Sequence, residues 1–124
     1  MNTNVLVLVS SLLVVLIDSM YLNLVKDFFG KQIRDVQKAP MKLDMTATLL
    51  AYVFIIFGLN YFIIRKRASV TDAFLLGFVI YGIYEFTNMA LFKDWRWTTA
   101  ILDTIWGGIL FSLVTYLTYL IGKL

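Results

Sequence analysis

Residues Asn4 to Val25 read NVLVLVSSLLVVLIDSMYLNLV. This stretch is apolar almost throughout, and as a helix it is long enough to cross the ~30 Å of hydrocarbon in a bilayer. Lipid offers the backbone no hydrogen-bond partner, so a segment of this kind must be helical. Asp18 is the exception, because a charged group at the bilayer centre costs ~2.5–3.5 kcal/mol on insertion scales. The stretch therefore predicts a membrane-spanning helix and a polar group that needs a partner.

Three further segments have a similar length and the same apolar character; they cover residues 43–64, 71–91 and 98–121. Overall, 60% of the residues are hydrophobic and 15% are charged, whereas a typical soluble domain is ~45–50% apolar and ~25% charged. The sequence therefore predicts an all-α protein, an integral membrane four-helix antiparallel bundle in which residues 1–124 form a single membrane domain. The lipid bilayer is its expected environment.

The chain contains no histidine and no cysteine. Zinc, iron–sulfur and haem sites would lack their usual ligands, so we expect no cofactor. A metal site would have to be built from oxygen ligands, which favour hard cations, and the sequence leaves open whether such a site exists. The net charge of +3 comes from the connections between the spans rather than from a basic stripe. We therefore expect no nucleic-acid partner.

The first connection, residues 26–42, is the longest and the most basic. Within it Phe29, Ile33 and Val36 recur at helical spacing between polar residues. This pattern suits a short helix that lies in the membrane interface, and it suits equally a solvated loop with scattered apolar residues. The basic residues of this connection are Lys26, Lys31, Arg34, Lys38 and Lys42.

The third connection, residues 92–97, alternates aromatic and basic side chains, which is typical of an interfacial anchor. The anchor residues are Trp95, Arg96 and Trp97. Four spans place both termini and the second connection on one side of the membrane, and the first and third connections on the other. The side with the first and third connections carries seven basic residues, whereas the side with the termini and the second connection carries four. The positive-inside rule then predicts that loops 26–42 and 92–97 face the cytoplasm.

Three acidic residues fall inside the predicted spans, namely Asp18, Glu85 and Asp103. Asp18 lies seven residues before the end of the first span, and Glu85 lies six residues before the end of the third. Asp103 lies five residues into the fourth. Because the spans alternate in direction, all three positions are ~8–11 Å below the same membrane surface. The three carboxylates are therefore predicted to form one layer.

Small and polar residues share a helical face on each span, and the simplest bundle turns these four faces inward. On the first and second spans the faces consist of Ser11, Asp18 and Tyr21, and of Thr48, Tyr52 and Asn60. On the third and fourth spans they consist of Gly77, Tyr81, Glu85 and Asn88, and of Thr99, Asp103, Trp106 and Gly107. The candidate intramembrane polar site is Asp18, Tyr52, Tyr81, Tyr84, Glu85, Asn88, Asp103 and Trp106.

The acids in this site allow two interpretations. No lysine or arginine lies within a span, so the carboxylates could form a cluster that shares protons or binds a cation. They could equally be structural groups that donate or accept hydrogen bonds between helices, as is expected of Asn88 and the tyrosines. The shared-cluster hypothesis requires all three side chains to point to the same region of the bundle.

Two strings in the C-terminal half resemble a known family. They are YGIYEFTN at residues 81–88, followed by Trp95, and DTIWG at residues 103–107. They resemble the predicted membrane proteins called domain of unknown function 2177, which have a Tyr-Asp-Leu-Thr-Asn-like stretch, a tryptophan a few residues on, and Asp-x-x-Trp-Gly. Glu85 is one methylene longer than the family's aspartate. The segment at residues 16–22 is similar to the family's first span, which carries an aspartate near its end.

The resemblance implies a small four-helix membrane protein from bacteria or large DNA viruses, and it supplies no substrate. Among the candidate residues it emphasises Asp18, Glu85, Asn88, Asp103 and Trp106.

Two functions fit these residues. The first is proton- or cation-coupled transport, with Glu85 and Asp103 as the exchange site and Asp18 as a third ligand. The second is a structural or assembly role, in which the polar first connection docks another membrane protein or a viral shell. An enzyme is the weakest alternative, because no nucleophile–base pair is possible through histidine or cysteine and a pair of carboxyl groups alone is a weak catalytic signal. Four helices enclose little volume, so we expect a homo-oligomer or a larger membrane assembly.

Overall fold

The computed structural model describes residues 2–123. It consists of four α-helices: α1 (Thr3–Gln37), α2 (Met45–Leu59), α3 (Val70–Leu91) and α4 (Trp97–Gly122). A short π-helical segment, Asn60–Ile64, continues α2 directly. No strand occurs in the described part of the chain. Each of the four helical stretches is long and apolar enough to cross a membrane, which confirms the predicted all-α class and the four candidate spans.

Side chains cap the N-termini of the first three helices, at Asn2, Asp44 and Ser69. Asn2 accepts a hydrogen bond from the Val5 amide at 2.9 Å, and Asp44 accepts one from the Ala47 amide at 3.0 Å. Ser69 does the same for the Asp72 amide at 3.0 Å. These caps satisfy amides that have no partner within the first helical turn.

Helix α1 is longer than the sequence indicated. It continues without a break through the basic segment to Gln37 and ends at Lys38, whose φ of 58° is left-handed. The segment is thus neither a separate interfacial helix nor a loop. No proline occurs before Pro40 to interrupt the helix, and the apolar side chains of the segment continue the inward face of α1. The connection to α2 shrinks to residues 38–44.

Helices α3 and α4 form the most extensive interface, α1 packs on α4, and α2 packs on α1. The buried residues of α3 include Gly77 and Glu85. Those of α4 include Thr99, Asp103 and Gly107. These five positions were predicted to face inward, and the structure buries them.

The inward face of α1 differs from the prediction by one residue near its start. The buried positions Leu6, Ser10, Val14 and Asp18 are four residues apart, and Ser11 lies beside them. The hydroxyl of Ser10 lies 3.1 Å from Asn60 Oδ1 and also 3.1 Å from the Val7 carbonyl oxygen, and either can accept its proton. The hydroxyl of Ser11 donates only within its own helix, to the Val7 carbonyl. The partner on α2 shows that Ser10 is the polar group on the inward face.

Candidate functional site

Asp18 is buried between three helices and accepts two hydrogen bonds from aromatic side chains. The Tyr52 hydroxyl of α2 donates to Oδ2 at 2.7 Å, and the Trp106 indole N–H of α4 donates to Oδ1 at 3.0 Å. The residue is 7% exposed. Asp18 therefore joins α1 to both α2 and α4.

Tyr21 links Asp18 to the second acid. Its ring stacks on that of Trp106 with 4.2 Å between centroids and 1° between planes. Its hydroxyl donates to Asp103 Oδ1 at 3.3 Å. Asp103 and Trp106 are three residues apart and therefore lie on the same face of α4, so Tyr21 can contact both of them.

Glu85 is the most deeply buried of the three acids, at 1% exposure. The indole N–H of Trp95 donates to its Oε1 at 2.9 Å. Asp103 is a close neighbour of this carboxyl group. A hydrogen bond between two carboxyl groups needs one proton between them, since carboxylates can only accept. A direct contact between Glu85 and Asp103 would therefore require a shared proton.

These contacts form one continuous network, which we call the carboxyl network. It draws on all four helices and on the connection between α3 and α4, so the three acids point to one region, as the shared-cluster hypothesis requires. Its members are Asp18, Tyr21, Tyr52, Glu85, Trp95, Asp103 and Trp106.

Three of the predicted site residues lie outside the carboxyl network. Tyr81 is half-buried between α3 and α4, and its ring meets the ring of Phe111 edge to face at 6.4 Å. Tyr84 is 56% exposed. Asn88 is half-buried, and its backbone carbonyl accepts a hydrogen bond from the Phe92 amide at the end of α3. None of the three donates a side-chain hydrogen bond to an acid within residues 2–123, but Tyr81 lies near Asp18 and Asp103, and Tyr84 lies near Glu85.

The predicted interfacial anchor divides into two parts. Trp95 lies inside the protein, 8% exposed, because its indole N–H bonds to Glu85. Trp97 is 67% exposed. Arg96 forms an ion pair with Asp35 at 3.7 Å. An anchoring role for Arg96 and Trp97 remains a prediction.

Gln32 is a structural residue that the sequence did not reveal. It is fully buried, and its Nε2 donates to the Asp94 carbonyl at 2.8 Å. Its Oε1 accepts from the Arg96 amide at 3.0 Å and from the Thr99 hydroxyl at 2.9 Å. Gln32 thereby supplies the cap at the start of α4. A polar residue within a basic helical stretch usually faces solvent, so no local signal identified it.

The acids do not form a metal site of the usual kind. Among residues 2–123, no three acidic side chains converge closely enough to hold a metal ion together. The donors around the acids are instead O–H and N–H groups of tyrosine and tryptophan. The geometry is that of hydrogen-bond acceptors surrounded by aromatic donors.

The fold and the carboxyl network define a class of protein, a small all-α membrane protein with four spans and buried acids. Within this class, the chain belongs to the family described as predicted membrane protein (DUF2177), whose model matches residues 3–120. This is the family that the sequence resembles. No curated protein and no solved structure gives a significant match to the chain.

Proposed function

We propose that the protein is a structural membrane component, a scaffold that presents the basic end of α1 to a partner in a membrane assembly. The observation that carries the proposal is that each buried acid accepts a direct hydrogen bond from an aromatic side chain of another element. Such contacts hold helices together in lipid.

The basic end of α1 supports the docking part of this proposal. Gln32 ties it to the start of α4, and Lys38 forms an ion pair with Asp94 at 3.4 Å. These contacts hold the segment beside the bundle. A cleft of about 390 Å³ lies between the end of α1 and the following connection. Basic side chains line much of it, so the complementary partner is an acidic protein segment. Three basic residues and one acidic residue belong to the lining, which consists of Lys26, Asp27, Gly30, Lys31, Arg34, Pro40 and Met41.

Proton-coupled transport is the second candidate, and the contact between Glu85 and Asp103 favours it. Two carboxyl groups that hold one proton between them form a minimal proton-exchange site. In this candidate Glu85 and Asp103 exchange the proton, and Asp18 stabilises the layer next to them.

Two substitutions of Glu85 separate the candidates. In Glu85→Gln the amide oxygen still accepts from Trp95 and the amide nitrogen can donate to Asp103, whereas Glu85→Leu leaves the Trp95 N–H without its acceptor. A scaffold therefore retains its unfolding free energy in Glu85→Gln and loses ~1–3 kcal/mol in Glu85→Leu. We expect this pattern in mixed-micelle unfolding, together with unchanged proton flux in liposomes. Flux that the wild-type protein shows and Glu85→Gln abolishes would establish transport instead.

Docking can be tested with a single introduced thiol, because the chain has no cysteine of its own. Lys31→Cys places the thiol on the basic end of α1, and Lys66→Cys places it in the connection between the second and third spans. With a thiol-reactive photocrosslinker in native membranes, the first variant should yield one discrete adduct that the second does not. A pattern shared by both variants, or no adduct from Lys31→Cys, would exclude docking at this surface.

The predicted orientation is part of this proposal. A partner in the cytoplasm or on an internal shell requires the end of α1 to face that side, in accordance with its excess of basic residues. A membrane-impermeant thiol reagent applied to intact cells should label Lys66→Cys and spare Lys31→Cys; the reverse pattern would invert the topology.

A further inference from the structure

A groove separates α1 from the second span at the end of the bundle remote from the carboxyl network. Its volume is about 480 Å³. Side chains of both helices form its apolar walls, and Asn60 is a polar group on its floor. The wall residues are Leu6, Val7, Val53, Ile56 and Phe57.

The mouth of this groove is positively charged, since Arg65 and Arg67 belong to its lining. The guanidinium of Arg65 lies 4.3 Å from the centre of the Tyr61 ring, and that of Arg67 lies 6.0 Å from the centre of the Tyr119 ring. Both side chains are exposed. Neither takes part in an ion pair within residues 2–123, where the acidic partners of ion pairs are Asp35 and Asp94.

The π-helical segment Asn60–Ile64 aligns this charge with the groove. The amide of Arg65 donates to the carbonyl of Asn60, five residues earlier, at 2.8 Å. A π-turn is wider than an α-turn and rotates less per residue. Arg65 therefore lies nearly above Asn60, on the groove side, where a regular α-helix would carry it further round the axis. The turn thus serves to place a cation at the end of an apolar surface.

We propose that this groove binds an anionic phospholipid, with an acyl chain between α1 and the second span and the phosphate against Arg65 and Arg67. Guanidinium groups match phosphate oxygens in geometry and charge. Basic residues at the end of a span lie at the level of the lipid headgroups. A free phosphate would gain nothing from the apolar walls, and a neutral lipid would gain little from the two arginines.

Native mass spectrometry of the detergent-solubilised full chain tests the charge at the mouth. Phosphatidylglycerol should remain bound in preference to phosphatidylcholine of the same acyl chains. The double variant Arg65→Gln/Arg67→Gln should lower retention of phosphatidylglycerol by about tenfold, because each basic residue near a headgroup strengthens its binding severalfold. Lys66→Gln is the matched control, since Lys66 lies between the two arginines and does not line the groove; it should leave retention unchanged.

A second pair of variants tests the apolar wall independently of charge. Val53→Trp fills the groove from a side chain that is 59% exposed, and Ile83→Trp adds the same ring to an exposed position of α3 outside the groove. The first should reduce phosphatidylglycerol retention and the second should not. Inorganic phosphate at millimolar concentration should not displace the lipid.

Three results would overturn the proposal. One is equal retention of the two lipids, which would indicate ordinary lipid contact around the bundle. Another is an equal loss of binding in Lys66→Gln and the arginine variant, which would indicate a general charge effect. The third is displacement by inorganic phosphate together with an inert Val53→Trp, which would indicate a phosphate site without a lipid.

Discussion

Helices α3 and α4 meet differently from α1 and α2. In the first pair two glycines bring the backbones together; a Cβ built on Gly107 lies 2.6 Å from the Gly77 carbonyl oxygen. In the second pair two side-chain hydrogen bonds, Tyr52 to Asp18 and Asn60 with Ser10, join helices that a groove otherwise separates. The first interface depends on shape and the second on polar contacts, so substitutions should affect them by different amounts.

The largest loss of stability is expected where an added methyl group on α3 would overlap the backbone of α4. A Cβ on Gly77 would lie 2.7 Å from the Gly107 carbonyl carbon and 2.8 Å from Phe111 Cγ. Because backbone cannot rotate aside, Gly77→Ala should lower the unfolding free energy in mixed micelles by ~3 kcal/mol or more. Gly58→Ala is the control, since no neighbour lies within 4 Å of a Cβ there, and it should be neutral or stabilising. Similar behaviour of the two variants would refute the close approach of α3 and α4.

The next effect concerns the contact that fixes α1 beside these two helices. Gln32→Leu removes three hydrogen bonds and leaves the Asp94 carbonyl, the Arg96 amide and the buried Thr99 hydroxyl without this partner. We expect a loss of ~2–3 kcal/mol and faster proteolysis near residues 92–97. Gln37→Leu should change little, because Gln37 is exposed and bonds only to nearby carbonyls. Undiminished protease resistance in Gln32→Leu would show that the end of α1 is held by other contacts.

A smaller effect is expected at the polar contact between α1 and α2 near the acids. Tyr52→Phe removes one hydrogen bond to Asp18 and keeps the ring. Hydrogen bonds between membrane helices contribute ~0.6 kcal/mol on average and up to ~1.7 kcal/mol, and the short distance of 2.7 Å places this one near the upper value. Tyr84→Phe, on an exposed ring, should leave the unfolding free energy unchanged. A larger loss of unfolding free energy in Tyr84→Phe than in Tyr52→Phe would show that Tyr84, rather than Tyr52, belongs to the carboxyl network.

The smallest effect is expected at the groove end of the same helix pair. Ser10→Ala removes the contact with Asn60 and should lower the unfolding free energy by ~0.6 kcal/mol. Ser11→Ala affects only a bond within α1 and should cost less. Equal losses in the two variants would mean that the Ser10 hydroxyl contributes no contact between helices.

Much of the architecture could be predicted because its signals are local. An apolar segment of ~20 residues in lipid has only the helix available to its backbone, so four spans follow from hydropathy alone. Helical periodicity then placed Gly77, Glu85, Asp103 and Gly107 on inward faces, where the structure has them. Equal depth predicted one acidic layer, and the contacts of Asp18, Glu85 and Asp103 agree with it.

The partners of the acids could not be predicted in the same way. Trp95 suits an interface by composition, yet its indole bonds to Glu85, and Gln32 caps a helix 64 residues further along the chain. On α1 the choice between Ser10 and Ser11 depends on where Asn60 lies. Each outcome depends on how one helix is rotated against another, which no pattern within a single segment contains.

The sequence by itself thus determined the class of protein and the four helices and predicted the layer of acids, because bilayer thickness and helical repeat act on each segment separately. Only the tertiary structure decided which donors meet those acids, that α3 and α4 approach through glycine, and that α1 and the second span leave a groove below Arg65 and Arg67. These features arise from the packing of side chains between helices, where a rotation of one residue position exchanges one set of neighbours for another.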